Sequence, residues 1–198
     1  FYLKSCAESL MESVKDYPDV EFICIDDNSK EEGTQEYLQT LEDRGWKVIN
    51  QEDYRDSSKQ AIGKIKHVID EFSSALNIFL EESTGEIIAP LQGDMQFIRK
   101  GWLKEYISLF EEREDVFAIM MDAQRKIRVD NSSFEKIQTS QATFAVQDGR
   151  NIPGAGDCFY RKSLVEAIGG WHIGKELDAE NIFTVMGKEV FYNQKKTY

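Results

Sequence analysis

The stretch Gly85-Glu86-Ile87-Ile88-Ala89-Pro90-Leu91-Gln92-Gly93-Asp94-Met95 decides the fold class of this chain. Its apolar centre predicts a buried β-strand over residues 86–91, and the carboxylate of Asp94 follows in a turn. A second apolar stretch, residues 20–25, runs in the same way into Asp26-Asp27-Asn28-Ser29. Because α/β proteins place their ligand sites at the carboxyl ends of strands, the two acidic turns predict one shared site.

Helical and strand patterns alternate as far as residue 121. Apolar residues recur at helical spacing over four segments, residues 3–17, 34–44, 62–80 and 101–112. The third of these helices is expected to break near Ser73 and Ser74. Apolar runs typical of strands lie between the helices, over residues 20–25, 46–49, 86–91 and 116–121. This order predicts an α/β fold with a mostly parallel sheet that is flanked by helices.

The pattern beyond residue 121 is less regular. We expect strands over residues 143–146 and 158–160, and helices over residues 163–168 and 179–186. Because an α/β domain more often begins with a strand than with a helix, a further strand is expected ahead of residue 1. A chain of 198 residues is long enough for one sizeable core, so we predict a single domain over residues 1–198.

The composition excludes several classes of function. The chain carries 24 basic and 36 acidic residues, and its net charge of −12 repels a nucleic-acid backbone. No apolar run reaches the length of a membrane span, which predicts a cytoplasmic protein and leaves attachment to a membrane surface open. Cys6, Cys24 and Cys158 lack the spacing of a zinc site and are expected to be free thiols.

The segment Ile25-Asp26-Asp27-Asn28-Ser29 resembles the nucleotide-binding turn of family 2 glycosyltransferases. Further segments similar to that family follow in the family's order: Ala75-Leu76-Asn77, Thr84-Gly85-Glu86-Ile87-Ile88, Gln92-Gly93-Asp94, Gly101-Trp102-Leu103, Phe159-Tyr160-Arg161-Lys162-Ser163 and Ala167-Ile168-Gly169-Gly170-Trp171. The resemblance implies the GT-A fold, with a Rossmann-like nucleotide-sugar-binding half over residues 1–122 and an acceptor and catalytic half over residues 123–198. It also implies transfer of a sugar, with inversion, from a nucleoside-diphosphate donor to a hydroxyl group of a glycan or another acceptor.

The resemblance assigns donor binding to Asp26, Asp27, Asn77 and Asp94. Asp27 matches the aspartate that contacts the nucleotide base, and a carboxylate can accept a hydrogen bond from the imide of uracil or thymine. Asp94 matches the final aspartate of the family's Asp-x-Asp motif and is expected to hold Mn²⁺ or Mg²⁺, because a hard cation neutralises the departing diphosphate. Gln92 replaces the first aspartate of that motif, so one carboxylate of the usual set is absent.

Asp178 and Glu180 are the candidates for the catalytic base. An inverting transfer needs a group that accepts the proton of the acceptor hydroxyl. The family places a carboxylate for this task after its Gly-Gly segment, but its usual Glu-Asp pair is absent here, so both acids remain candidates. Trp102, Phe159 and Trp171 are candidates for stacking on a sugar ring. We expect at least two of them in the core, and Trp171 is favoured for acceptor binding.

Plainer interpretations stand beside these assignments. Asp26, Asp27 and Asp94 are also typical turn residues, and Asp178 and Glu180 are also favourable charges for the first turn of a helix. One alternative function is therefore an inactive nucleotide-sugar-binding or structural module of the same fold. Another is a sugar nucleotidyltransferase, which would need a Gly-rich, basic phosphate loop that is not visible in these residues.

Overall fold

The computed structural model describes residues 2–54, 64–121, 135–148, 157–171 and 189–193. The helices are α1 (Tyr2–Val14), α2 (Thr34–Asp43), α3 (Lys64–Glu82), α4 (Trp102–Glu112) and α5 (Lys162–Ala167), with a 3₁₀ turn over Gln51–Tyr54. The strands are β1 (Ile23–Asp26), β2 (Lys47–Asn50), β3 (Ile87–Ile88), β4 (Ala118–Met120), β5 (Lys136–Gln138), β6 (Thr143–Asp148), β7 (Cys158–Arg161) and β8 (Glu189–Asn193). The α/β class predicted from the sequence is confirmed.

The strands form two sheets in the described part of the chain. β1 and β2 pair in parallel, and a six-stranded sheet has the order β3-β7-β4-β8-β6-β5. In the larger sheet β3, β4, β5 and β8 run in one direction, and β6 and β7 run in the other. The sheet was predicted to be mostly parallel, but it is mixed. Strands β6 and β7 each lie between strands of the opposite direction, so β4–β8 is its one parallel pair among the described strands.

The core of the larger sheet is built around β4. Every residue from Val116 to Met121 is at most 2% exposed, as expected for a strand that is covered on both faces. On α4, Trp102 packs edge-on to Phe159 of β7, and Tyr106 stacks on the same ring at 5.0 Å between centroids. Burying one large apolar side chain contributes about 1.5–3 kcal/mol, so this aromatic layer holds α4 firmly against the sheet.

Helix α1 is fixed to the same layer by a polar contact. The indole N–H of Trp102 donates to the hydroxyl of Ser13 at 3.0 Å, and Ser13 is itself buried.

The predicted break of α3 near Ser73 and Ser74 is wrong, because the helix continues through both residues. Ser73 is fully buried against neighbouring elements, so tertiary packing overrides the low helix propensity of serine.

Two strands were not predicted. β5 is a short edge strand whose Lys136 and Gln138 are exposed, so it lacks an apolar signal. β8 carries only the short run Val190-Phe191-Tyr192, yet it pairs with both β4 and β6. The helix predicted over residues 179–186 lies outside the described residues. The single-domain organisation and its two halves remain predictions.

An apolar cavity of about 520 Å³ lies between the two sheets. Three consecutive residues of β1, Ile23 to Ile25, and the consecutive residues 87–93 line it. Side chains of successive strand residues point to opposite faces, so a cavity that touches them in sequence lies along the edges of the strands. Those edges carry no partner among the described strands.

No helix within the described ranges combines the length and apolar character that crossing a bilayer requires. The cytoplasmic location stays an expectation from the sequence.

Candidate functional site

The acidic turn after β1 is organised by Asp26. Its side chain is 8% exposed, and both carboxylate oxygens accept the backbone N–H of Ser29, at 3.3 and 3.2 Å. The side-chain amide of Gln35 donates to the same carboxylate at 3.4 Å. Asn28, which lies between Asp26 and Ser29 in the turn, adopts φ +54°, a left-handed conformation that asparagine tolerates. Asp26 therefore shapes the turn, while the neighbouring Asp27 carries its carboxylate to the exposed surface.

The second acidic turn follows β3. Leu91 forms an isolated antiparallel bridge with Asp157, and the backbone N–H of Met95 donates to the carbonyl of Gln92 at 3.3 Å. Met95 is buried, whereas Gln92 and Asp94 are exposed. The apolar anchor at Met95 thus holds the turn while the Asp94 carboxylate projects from the protein surface.

Two cysteine thiols lie between the two turns, Cys6, which is buried, and Cys24, which is partly buried. The Cys6 thiol donates to the carbonyl of Gln92 at 3.6 Å, and both Cys6 and Cys24 line the cavity between the sheets. Burial, helped by the Asp26 carboxylate and by Cys6, raises the pKa of the Cys24 thiol to about 11. Burial also raises the pKa of the Cys6 thiol. A hydrogen bond with the backbone of Met95 reduces this increase, and the charge of Asp94 adds to it. Ile25, which precedes Asp26, and Gln92 and Gly93, which precede Asp94, line the same cavity, so both acidic turns begin beside it.

The Asp94 turn supplies a limited set of metal ligands. Within the part of the chain that the structure describes, no three His, Cys, Asp or Glu side chains converge as a metal site would require. Mg²⁺ and similar cations are commonly held by one or two carboxylates together with substrate phosphates, rather than by a complete protein cage. An exposed Asp94, with Gln92 beside it, fits that type of site. The prediction of a metal at Asp94 remains open.

Asn77 has a role that sequence analysis missed. Its side-chain N–H donates to the carbonyl of Trp171 at 2.8 Å, and its side-chain oxygen accepts the N–H of Trp171, also at 2.8 Å. The amide therefore pairs with both backbone groups of one residue 94 positions away. An asparagine on α3 gives no local signal of such a partner, so pattern analysis alone had no means of finding it. Direct contact between Asn77 and a donor remains a prediction.

The aromatic candidates for sugar stacking all lie in the core. Trp102, Phe159 and Trp171 are 1%, 4% and 2% exposed. Trp171 packs edge-on to Tyr160 at 5.6 Å between centroids, and its indole N–H meets no acceptor among the described residues. The sequence-based preference for Trp171 as an acceptor platform is therefore wrong, because its ring faces are covered by the apolar core. The expectation that at least two of the three belong to the core is confirmed.

The two candidates for the base, Asp178 and Glu180, lie outside the described residues. The chain reaches them seven and nine positions after Trp171, which is the last described residue before that segment. Both assignments remain predictions.

Comparison with known proteins gives the chain a family. The family model described as Glycosyl transferase family 2 matches residues 2–169. Among solved structures, the crystal structure of S. aureus TarS 1-349 is similar with a TM-score of 0.61 and 14% identity, and it matches 100% of this chain and 56% of its own. The crystal structure of S. aureus TarS gives a TM-score of 0.63 and 17% identity, with 100% of this chain and 34% of its own length covered. No curated protein sequence matches.

These comparisons assign the fold. At 14% and 17% identity the similarity to the two TarS structures concerns the fold alone, and together with the family match it shows the GT-A α/β fold. The chain spans 56% and 34% of those two structures, so the activity of a whole protein of that length does not transfer to it directly.

Proposed function

The chain belongs to glycosyl transferase family 2, and we propose that it transfers a sugar, with inversion, from a nucleoside-diphosphate donor to a hydroxyl acceptor. Membership of this family favours a glycosyltransferase over a sugar nucleotidyltransferase. The identity of the nucleotide, the cation and the inverting course are parts of the proposal.

The observation that carries the proposal is the position of the two acidic turns. One follows β1 and the other follows β3, and the residues just before Asp26 and Asp94 line the same cavity. A nucleoside diphosphate offers a base at one end and a charged diphosphate at the other, so it needs two recognition groups a short distance apart. Asp27 and Asp94 supply exposed carboxylates at the two turns that begin beside this cavity.

Each carboxylate has a different task in this scheme. Asp27 accepts a hydrogen bond from the imide of the base, while the buried Asp26 fixes the turn that presents it. Asp94 would hold the divalent cation, which neutralises charge on the diphosphate as it leaves. A cation is needed because the protein, with its net charge of −12, as a whole repels a diphosphate.

The acceptor side completes the reaction. A carboxylate, either Asp178 or Glu180, takes the proton of the acceptor hydroxyl as its oxygen attacks the anomeric carbon. The bond from that carbon to the diphosphate breaks on the opposite face, so the configuration inverts. General-base help of this kind is worth about 10²–10⁴ in rate.

The test is the release of nucleoside diphosphate from a panel of nucleoside-diphosphate sugars, with Mn²⁺ and with EDTA. We expect one donor class to be consumed with Mn²⁺, and Asp94→Asn to reduce its consumption at least about 100-fold, which equals about 2.7 kcal/mol. Asp16→Asn is the matched control, because it makes the same chemical change at an exposed carboxylate on the loop after α1. Equal activity of Asp94→Asn and the control would refute the role of Asp94.

A second candidate function is an inactive donor-binding module of the same fold. Gln92 favours it, because an exposed amide stands where the family usually has a carboxylate. This alternative predicts that a nucleoside-diphosphate sugar raises the melting temperature without being consumed. Turnover that depends on Asp94 excludes it.

A further inference from the structure

One face of α1 lies along the segment that carries Asp94. Three polar side chains recur on that face at helical spacing, and each contacts a different point of residues 92–102. The pairs are Cys6 with Gln92, Ser9 with Phe97, and Ser13 with Trp102. The order of the contacts is the same along the helix and along the segment, so α1 holds the segment at three successive points.

The first two contacts lie on either side of Asp94. Two residues before it, the carbonyl of Gln92 accepts a hydrogen bond from the Cys6 thiol at 3.6 Å. Three residues after it, the backbone N–H of Phe97 donates to the Ser9 hydroxyl at 3.0 Å. The Ser9 hydroxyl also donates to the carbonyl of Cys6 at 3.0 Å, which fixes its orientation. The exposed carboxylate of Asp94 is therefore carried by a short segment that is held at both ends.

The contact after Asp94 depends on one hydroxyl group. Ser9 is partly buried, and Phe97 is 6% exposed, with its ring stacked on Trp102 at 5.2 Å between centroids. The stacking fixes the side chain of Phe97, whereas the Ser9 hydroxyl fixes its backbone. Removing the hydroxyl takes an acceptor from a part-buried N–H, which favours conformations in which that N–H reaches water. Such conformations move the backbone on which Asp94 lies.

We propose that Ser9 is a positioning residue, which holds the Asp94 turn in the conformation that binds a divalent cation together with a nucleoside diphosphate. This inference rests on the proposed function. Ser9 touches neither ligand in this scheme and acts only through the backbone of residues 92–97. An apparent affinity falls with the fraction of molecules that are competent to bind, so loss of the hydroxyl weakens cation-dependent binding and leaves the chemical step unchanged.

The experiment compares Ser9→Ala with Ser5→Ala and Ser9→Thr. Ser5→Ala is the matched control, because Ser5 is an exposed residue one turn earlier on α1 and the same change has the same effect on helix propensity. Ser9→Thr keeps the hydroxyl, and a threonine hydroxyl in a helix can bond a preceding carbonyl as Ser9 bonds that of Cys6. Urea melts establish that each variant is folded.

Two binding measurements and one exchange measurement are made on each variant. Calorimetry gives the Kd of a nucleoside diphosphate with Mn²⁺ and with EDTA, and NMR gives the exchange rate of the Phe97 amide. The nucleotide is the one that the donor panel releases, or uridine diphosphate if no donor is consumed, because uracil offers the imide that Asp27 is proposed to bind.

Ser9→Ala is expected to raise the Kd with Mn²⁺ about three- to tenfold, the factor that one neutral hydrogen bond contributes to an equilibrium constant. Its Kd with EDTA, and its kcat at saturating Mn²⁺, should stay within about twofold of wild type, while exchange at Phe97 becomes faster. Ser5→Ala and Ser9→Thr should match wild type in all of these. In an Asp94→Asn background, Ser9→Ala should add no further loss of affinity.

Several outcomes would overturn the proposal. A Kd that rises equally with Mn²⁺ and with EDTA would show that the effect does not pass through the Asp94 turn. Fast exchange at Phe97 combined with a wild-type Kd, in any variant, would show that this contact does not govern binding. If Mn²⁺ does not strengthen nucleotide binding to wild type, the turn holds no cation and Ser9 has no such role.

Failure of the proposed function can be told apart from failure of this inference. If wild type consumes no donor but binds the nucleotide more tightly with Mn²⁺, the transfer reaction is refuted and the comparison of variants still decides the role of Ser9. If wild type is active and Ser9→Ala matches Ser5→Ala in every measurement, the proposed function stands and the positioning role is refuted.

Discussion

Changing Gly170 to alanine should be much more damaging than the same change at Gly169. Both residues have a left-handed φ, which costs a non-glycine residue about 1–2 kcal/mol. A Cβ atom on Gly169 meets nothing within 4 Å, whereas one on Gly170 lies 2.4 Å from the Asn77 oxygen. The Asn77 side chain must then swing away and lose its two hydrogen bonds to Trp171, at about 1 kcal/mol each.

The expected free energies follow by addition. Gly169→Ala should lower the free energy of unfolding by about 1–2 kcal/mol, and Gly170→Ala by about 3–4 kcal/mol. For a chain of this size these losses correspond to falls in Tm of about 2–8 °C and about 6–16 °C. Urea unfolding, followed by tryptophan fluorescence, measures both variants under the same conditions.

A double-mutant cycle isolates the two hydrogen bonds between the Asn77 side chain and the backbone of Trp171. In an Asn77→Ala background these two hydrogen bonds are already absent, so adding Gly170→Ala should cost only its backbone strain. The coupling energy between Asn77 and Gly170 is therefore expected to be about 2 kcal/mol, while that between Asn77 and Gly169 should be near zero. Equal losses for the two glycine variants, or additive effects of Asn77→Ala and Gly170→Ala, would refute the reasoning.

Two further predictions concern the acidic turn and the thiols. Asp26→Ala should cost about 1–2 kcal/mol of stability, because the part-buried hydrogen bonds with the N–H of Ser29 are lost. Asp27→Ala should cost less stability and weaken nucleotide binding about tenfold or more. Urea melts and nucleotide titrations of both variants measure this, and the opposite ranking would contradict it. The Cys24 thiol has a pKa of about 11 in the folded protein against 9.0 ordinarily, so the folded state holds its proton longer. Stability should then fall as the pH rises from about 9 to 11, and this fall should be smaller in Cys24→Ala if the thiol is its source.

The helices and core strands could be predicted from the sequence because their signals are local. The apolar run 116–121 and the helical spacing over residues 101–112 correspond closely to β4 and α4. Strand β7 was found in the same way, but its place between β3 and β4 was not. Strand order and direction depend on contacts between distant residues, which a local pattern does not encode.

The candidate site was predictable to a similar degree. The acidic turns follow their strands as expected, because turn-forming residues after an apolar run are a local feature. The sequence does not show that Asp26 shapes the turn while Asp27 is exposed. That difference depends on hydrogen bonds from Ser29 and Gln35 to the carboxylate of Asp26. The burial of Trp171 was missed for the same reason, because its environment comes from α3 and β7.

The central claim is that the turns at Asp27 and Asp94 belong to one donor site with a divalent cation. Paramagnetic broadening of backbone amide signals by Mn²⁺, with a nucleoside diphosphate present, tests it directly. We predict strong broadening over residues 93–95 and weaker broadening over residues 26–29, both lost in Asp94→Asn and retained in Asp16→Asn. Broadening that leaves both turns unaffected, or that persists in Asp94→Asn, would contradict the account.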